Sequence, residues 1–263
     1  MTKFNKEYTE YWRSSTKNSI DGFKIPGELE AANILSFVNL NQDDNILDLG
    51  CSYGRMFKVL NSFSKNIYGI EPDPYAIEEA LKNNYISVKR GKAEQTDFNN
   101  SFFDFVFSWQ VFDVVDQLSG LIEINRILKV GGSTLFTGKN YNYFEDDNFA
   151  FTAEKNAFLK KFPNRFTDLD VLIENIDKLG FKILKLLIFP KRGDFGSLLY
   201  STEELNQKQI KGYEYVLVCE KIANISIKPD ILLDRITSKT SEKIAETRGF
   251  LSAEELFKTI GID

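Results

Sequence analysis

The run Asp48-Leu49-Gly50-Cys51-Ser52-Tyr53-Gly54-Arg55 gathers small, acidic and nucleophilic residues into one short stretch. Residues 50–54 match G-x-S-x-G, a sharp turn that presents its serine as a nucleophile. Such a serine needs an imidazole to take its proton, and the 263-residue chain contains no histidine. The same absence removes imidazole general bases and His-ligated zinc or iron. A dinucleotide fingerprint, G-x-G-x-x-G, also fails. The positions that must be glycine for close approach to a pyrophosphate are Ser52 and Arg55. What remains is a loop of small residues preceded by Asp48, where backbone can pass close to a ligand.

Such a loop has to be held at the junction of a strand and a helix. NILDL (45–49) is a short apolar run ending at Gly50, and residues 54–60 return to a helical pattern. NIYGIE (66–71) is a second strand, followed by Asp73 as an N-cap and Pro74 at the first helical position. ISVKR (86–90), FFDFVFS (102–108) and STLFTG (133–138) continue the alternation, with a helix lined by Leu118, Leu121, Ile122 and Leu128 and stopped at Gly131-Gly132. A helix over about 168–179, closed by Gly180, leads into a sixth strand. YEYVLVCEKI (213–222) is a seventh. Strands alternating with helices predict an α/β fold with a mostly parallel sheet covered on both faces.

Composition narrows the function classes. Apolar residues make up 43%, enough for a large core, and 33 basic against 38 acidic residues give a net charge of −5. A nucleic-acid partner would favour a basic surplus, and none is present. Cys51 and Cys219 are the only cysteines and form neither a disulfide framework nor a zinc cluster, so no metal site is expected. The N-terminus lacks an apolar signal region. The greasiest stretch, residues 103–115, is too short and too acidic to cross a membrane. The expectation is a cytoplasmic protein with no membrane partner.

Asp48, Gly50 and Gly54 resemble the D-x-G-x-G-x-G loop of class I S-adenosylmethionine-dependent methyltransferases, with Ser52 in place of the middle glycine. Four further segments match in order. Glu71 ends the second strand. Gly91-Lys92-Ala93-Glu94 followed by FFDFVF resembles the family's G-D-A-E run, with Lys92 in place of the adenine-binding Asp. SWQVFDVV and ILKVGGSTLF resemble the segments around the fourth and fifth strands. The resemblance implies a Rossmann-like seven-stranded sheet and S-adenosyl-L-methionine as cofactor. It assigns cofactor contacts to Asp48, Gly50, Cys51, Ser52, Gly54, Glu71, Pro72, Ala93, Glu94, Ser108 and Trp109. Asp48 would accept from the ammonium group, Glu71 from the ribose hydroxyls, and Pro72, Ala93 and Glu94 would flank the adenine.

Many relatives carry a histidine after the fourth strand, where this chain has Val114. A proton acceptor must therefore be Asp, Glu, Tyr or Lys, and is required only when the acceptor holds its proton, as a sugar hydroxyl does. Candidates are Asp113, Tyr141 and Tyr143. The narrower resemblance is to bacterial enzymes that methylate sugars or surface-polysaccharide precursors, which implies a small-molecule acceptor such as a nucleotide-linked sugar. An amine or carboxylate acceptor and a non-catalytic cofactor-binding assembly protein are the alternatives. Three regions are expected: an N-terminal helical cap (1–40, with Tyr8, Tyr11 and Trp12), a core domain (41–222) with a substrate-side insert (141–166), and a C-terminal helical tail (223–263) through which copies of the chain could associate.

Overall fold

A computed structural model describes residues 28–144, 146–159, 164–194, 198–200, 210–225 and 237–240. The first helix, α1 (Glu28–Leu35), leads into β1 (Asn45–Leu49), α2 (Phe57–Asn61), β2 (Asn66–Glu71), α3 (Pro74–Ala80), β3 (Ser87–Arg90) and β4 (Phe103–Ser108). Then come α4 (Gln117–Ile127), β5 (Leu128–Lys139), α5 (Asn148–Leu159), β6 (Arg165–Thr167), α6 (Leu169–Asn175), β7 (Phe181–Phe189), β8 (Leu198–Tyr200), β9 (Glu214–Lys221) and β10 (Thr237–Thr240).

The main sheet has the order β3-β2-β1-β4-β5-β9-β7-β8. Its first five strands pair in parallel, whereas β9 lies antiparallel between β5 and β7. All seven expected strands are present, and the short β8 adds an eighth at the edge beside β7. The strand order reverses between β1 and β4, so loops leaving the carboxyl ends of these two strands flank a crevice.

Both faces of the sheet are covered because its strands are apolar throughout. On one face Ile34 and Leu35 of α1, Phe57 and Leu60 of α2 and Ala80 of α3 pack on Ile46, Ile67, Phe105 and Val216. On the other, Leu121 and Ile124 of α4 and Leu169 and Leu172 of α6 pack on Leu47, Val106, Phe136 and Leu217. Asp73 caps α3 by accepting from the Tyr75 N–H at 3.3 Å, with Pro74 in the first turn. Gly180, at φ +74°, closes the short 3-10 turn (Ile176–Leu179) that follows α6.

Three expectations change. The helix before β5 ends at Ile127, not at the glycine pair, and β5 runs straight on from it through Gly131 at φ +84°. The insert is not an open loop: it holds α5 and β6, and β6 pairs with β10. The tail therefore contributes a strand at Thr237–Thr240 where a helix was expected. The remaining tail, the capping box at Ser252 and Glu255, and Tyr8, Tyr11 and Trp12 lie outside the described residues. No helix among the described residues is long and apolar enough to cross a membrane.

Candidate active site

The loop after β1 is shaped by backbone. Gly50 and Cys51 donate their N–H groups to the Ile70 carbonyl of β2 at 3.0 and 3.1 Å. Gly50 takes φ +77°, and a Cβ there would lie 2.4 Å from Val111 Cγ2 on the loop after β4. Only glycine fits both constraints. Ser52, standing at the middle-glycine position, has φ +50° and keeps the left-handed conformation despite its side chain. Gly54 has φ +81°, and a Cβ there would meet Asn83 and Tyr85.

Two carboxylates close this loop. Glu71 holds the Ser52 N–H on one oxygen and the Asp73 N–H on the other, each at 3.0 Å. Each oxygen retains a lone pair, the arrangement needed to accept from a pair of vicinal hydroxyls. Burial pushes the Glu71 carboxyl up to about 7, against the pull of those two backbone bonds. Asp48, 3% exposed, accepts from the Tyr85 hydroxyl at 2.6 Å. Burial raises Asp48 to about 6, opposed by Tyr85 and by the nearby Arg55 charge. Cys51 is buried against the strand, its thiol pushed up by burial and by Asp48, which leaves it a packing residue.

Further along the carboxyl edge, Pro72 is exposed and its carbonyl accepts from Arg90 Nε at 3.3 Å. Ala93 is buried at the next turn. Glu94 accepts from the Asp116 N–H at 2.9 Å, so one of its oxygens ties this turn to the start of α4. Ser108 ends β4 and Trp109 follows it, both buried, with the indole stacked on Phe107 at 5.8 Å. Trp109 Nε1 is buried with no hydrogen-bond partner among the described residues. An orphaned buried donor, a cradle of positive-φ residues and two carboxylates with free lone pairs fit a polar, cationic, hydroxyl-bearing ligand.

The second half of the site lies beyond β4 and β5. Asp113 Oδ2 is 3.1 Å from Lys139 Nζ, at the end of β5. Lys139 Nζ also lies 3.3 Å from Glu154 Oε1 on α5. Glu154 is 1% exposed and accepts from the Tyr213 hydroxyl and, at 3.0 Å, from Asn164. Burial works against the Lys139 ammonium, but Glu154, Asp113 and Glu214 hold its pKa above the ordinary lysine value. Tyr143 does not line an opening. It is 1% exposed and packs between Phe166 and Tyr213. Tyr141 is half-buried, its N–H donating to the Thr167 carbonyl at 3.1 Å.

Asp147 caps α5 by accepting from the Ala150 N–H at 3.0 Å, and Asp146 pairs with Lys191 at 2.7 Å. These two acids therefore serve the local fold, and no group of three or more metal-ligating side chains meets among the described residues. Tyr85, Glu154, Tyr213 and Glu214 join the site unforeseen. Of these only Glu214 carried a signal, an acid at the first position of an otherwise buried strand.

A family described as a methyltransferase domain matches residues 47–136, the segment from β1 through β5. Over those residues the chain is similar to a methyltransferase domain, and its fold is shared with S-adenosylmethionine-dependent methyltransferases. A candidate histamine N-methyltransferase of Thermotoga maritima superposes with TM-score 0.58 at 20% identity, over 82% of this chain and 98% of that one. Geranyl diphosphate C-methyltransferase of Streptomyces coelicolor, solved with Mg2+, geranyl diphosphate and S-adenosyl-L-homocysteine, gives 0.56 at 15%, over 74% and 79%. An S-adenosylmethionine-dependent methyltransferase of Mesorhizobium loti gives 0.56 at 13%, over 74% and 98%. At these identities the likeness establishes the fold. No curated protein matches the chain in sequence.

Proposed function

We propose that this methyltransferase O-methylates a small polar acceptor, a sugar or surface-polysaccharide precursor such as a nucleotide-linked sugar, in the cytoplasm. The carrying observation is the polar cluster of Asp113, Lys139, Glu154 and Glu214 beyond the carboxyl ends of β4 and β5. Charges of both signs, partly desolvated, match an acceptor rich in hydroxyls better than an apolar one. Gly50 abuts Val111, and Arg55 donates to Gln110 at 3.1 Å, so the cofactor loop and the acceptor-side loop are in direct contact.

In this reading Gly50, Cys51, Ser52 and Gly54 cradle the amino-acid end of the cofactor, with Asp48 toward its ammonium. Glu71 accepts from the ribose. Pro72, Ala93 and Glu94 flank the adenine, while Ser108 and Trp109 close the crevice. The cofactor supplies an already activated methyl group on sulfonium, and the chain's own residues position the acceptor and exclude water.

An amine acceptor is the second reading, favoured by the excess of carboxylates over Lys139 in the cluster. The two are separated by incubating the protein with S-adenosylmethionine and panels of nucleotide-linked sugars, free sugars, amines and carboxylates, followed by mass spectrometry. Methyl gain on the sugars alone supports the first reading, and gain on the amines alone replaces it with the second.

A further inference from the structure

The three carboxylates of the acceptor-side cluster are not equivalent. Asp113 is committed to Lys139 at 3.1 Å. Glu154 is buried and engaged by Lys139, Tyr213 and Asn164. Glu214 stands opposite Lys139 in the β5–β9 register, half-buried at the first position of β9. Its carboxylate makes no hydrogen bond or ion pair among the described residues. Residues alternate across a strand, so Lys139 and Glu214 extend the face formed by Leu135, Val216 and Val218. That face also carries Trp109 and Phe189, and its β1 end carries Cys51 of the cofactor loop.

We propose that Glu214 is the general base that takes the acceptor's proton, an assignment that rests on the hydroxyl-acceptor reading above. The acceptor O–H bond breaks and its proton passes to a Glu214 carboxylate oxygen. The oxygen's electron pair forms the new C–O bond as the C–S bond breaks, and the electrons of the C–S bond stay on sulfur. The proton leaves Glu214 for water after the methylated product departs. Asp113 is a poorer choice because its charge is already matched by Lys139. Lys139 is no base at neutral pH because the surrounding acids keep it protonated.

The groups facing Glu214 come from four elements: Lys139 on β5, Asp113 on the loop after β4, Glu154 on α5 and Arg192 on the loop after β7. Burial raises Glu214 most, Lys139 and Arg192 pull it down, and Asp113 and Glu154 push it up, leaving it at about 7. A base with that value is ionised above neutrality and is not too weak to accept a proton.

The test compares wild type, Glu214→Gln and Glu214→Asp on an acceptor identified by the panel. For Glu214→Gln we expect kcat to fall about a hundredfold or more, with loss of the rise in rate through pH 7. The thermal shift given by S-adenosylhomocysteine should stay at the wild-type value. Glu214→Asp should keep a slower, pH-dependent turnover. Independently of turnover, 13C-carboxyl NMR of Glu-labelled protein should show two carboxyls titrating near 7, those of Glu71 and Glu214, and one of the two should be missing from Glu214→Gln. Wild-type turnover and pH profile in Glu214→Gln would overturn the base, as would near-neutral carboxyl signals that Glu214→Gln leaves unchanged. A wild type that binds S-adenosylhomocysteine yet methylates no hydroxyl overturns the acceptor reading itself.

Discussion

The loop after β1 and the cluster beyond β5 face the same carboxyl edge of the sheet, yet one is assembled from backbone and the other from side chains. On the cofactor side, the shape comes from positive φ at Gly50, Ser52 and Gly54 and from N–H groups aimed at Ile70 and Glu71. Its charges belong to two carboxylates fixed on adjacent strands. On the acceptor side, Asp113, Lys139, Glu154, Tyr213 and Glu214 come from four separate segments, and their mutual charge organises them. A backbone cradle suits a ligand common to many enzymes. A side-chain cluster can be altered one residue at a time, which suits the part of a site that selects its acceptor.

The largest break in this contrast should follow removal of the cluster's cation. Lys139→Met leaves Asp113 and Glu154 desolvated without their partner, at a cost of about 3 kcal/mol of stability at neutral pH. Lys139 also pulls the raised Glu214 carboxyl down, so losing it pushes that carboxyl further above its ordinary value. The folded state then binds more protons, so the deficit shrinks as pH falls toward 5. Denaturant midpoints of both proteins from pH 5 to 8 measure this, and a pH-independent deficit would mean that Lys139 acts through packing alone. Gly50→Ala is the matching break on the cofactor side. Positive φ and the 2.4 Å approach to Val111 together cost the loop roughly 3 kcal/mol. That corresponds to roughly a hundredfold weaker binding of S-adenosylhomocysteine by calorimetry. Retained affinity would show that the cofactor does not rely on this cradle.

The same contrast explains what was legible in the sequence. The cofactor side is local: Asp48 to Arg55 is one strand-to-helix junction, and Glu71 lies one βα unit later, so spacing alone exposes them. The strands were legible for a similar reason, since a parallel sheet buried on both faces needs continuous apolar runs such as NILDL and FDFVFS. The acceptor side is non-local. Nothing in the spacing of Asp113 and Lys139 shows that Glu154 will reach them from a helix in the insert, or that Glu214 will arrive antiparallel beside Lys139. Tyr85 was missed because its partner Asp48 lies 37 residues away, across β2. Tyr143 was read by residue type, and its position inside a small aromatic core overrode that reading.

A smaller effect should follow Tyr85→Phe, which tests whether the cofactor side is as independent of side chains as its loop implies. Asp48 Oδ2 loses its donor, at a cost of about 1–2 kcal/mol of stability. Asp48 already sits near 6, above its ordinary 3.8, so its protonated form stabilises the fold at low pH and that contribution is lost as pH rises through 6. The Tyr85 bond pulls this value down, so removing it moves the window upward. If Asp48 must be ionised to hold the cofactor's ammonium, affinity for S-adenosylhomocysteine should decline at a higher pH in Tyr85→Phe than in wild type. Binding titrations from pH 5.5 to 8 compare them, and coincident curves would remove Asp48 as a direct contact.

Ser52→Gly should have the smallest effect and the sharpest meaning. A side chain at φ +50° costs the folded loop about 1 kcal/mol, which glycine relieves. Glycine also adds freedom to the unfolded chain, worth about 0.4–1 kcal/mol in the opposite direction. The two nearly cancel, so the melting temperature should move little. Because the Ser52 N–H to Glu71 survives the substitution, a cradle made of backbone should bind S-adenosylhomocysteine as before. A clear loss of affinity with unchanged stability would mean that the Ser52 hydroxyl itself touches the cofactor. The cofactor side would then share the acceptor side's dependence on side chains, and serine at the middle-glycine position would be a gain of contact rather than a tolerated strain.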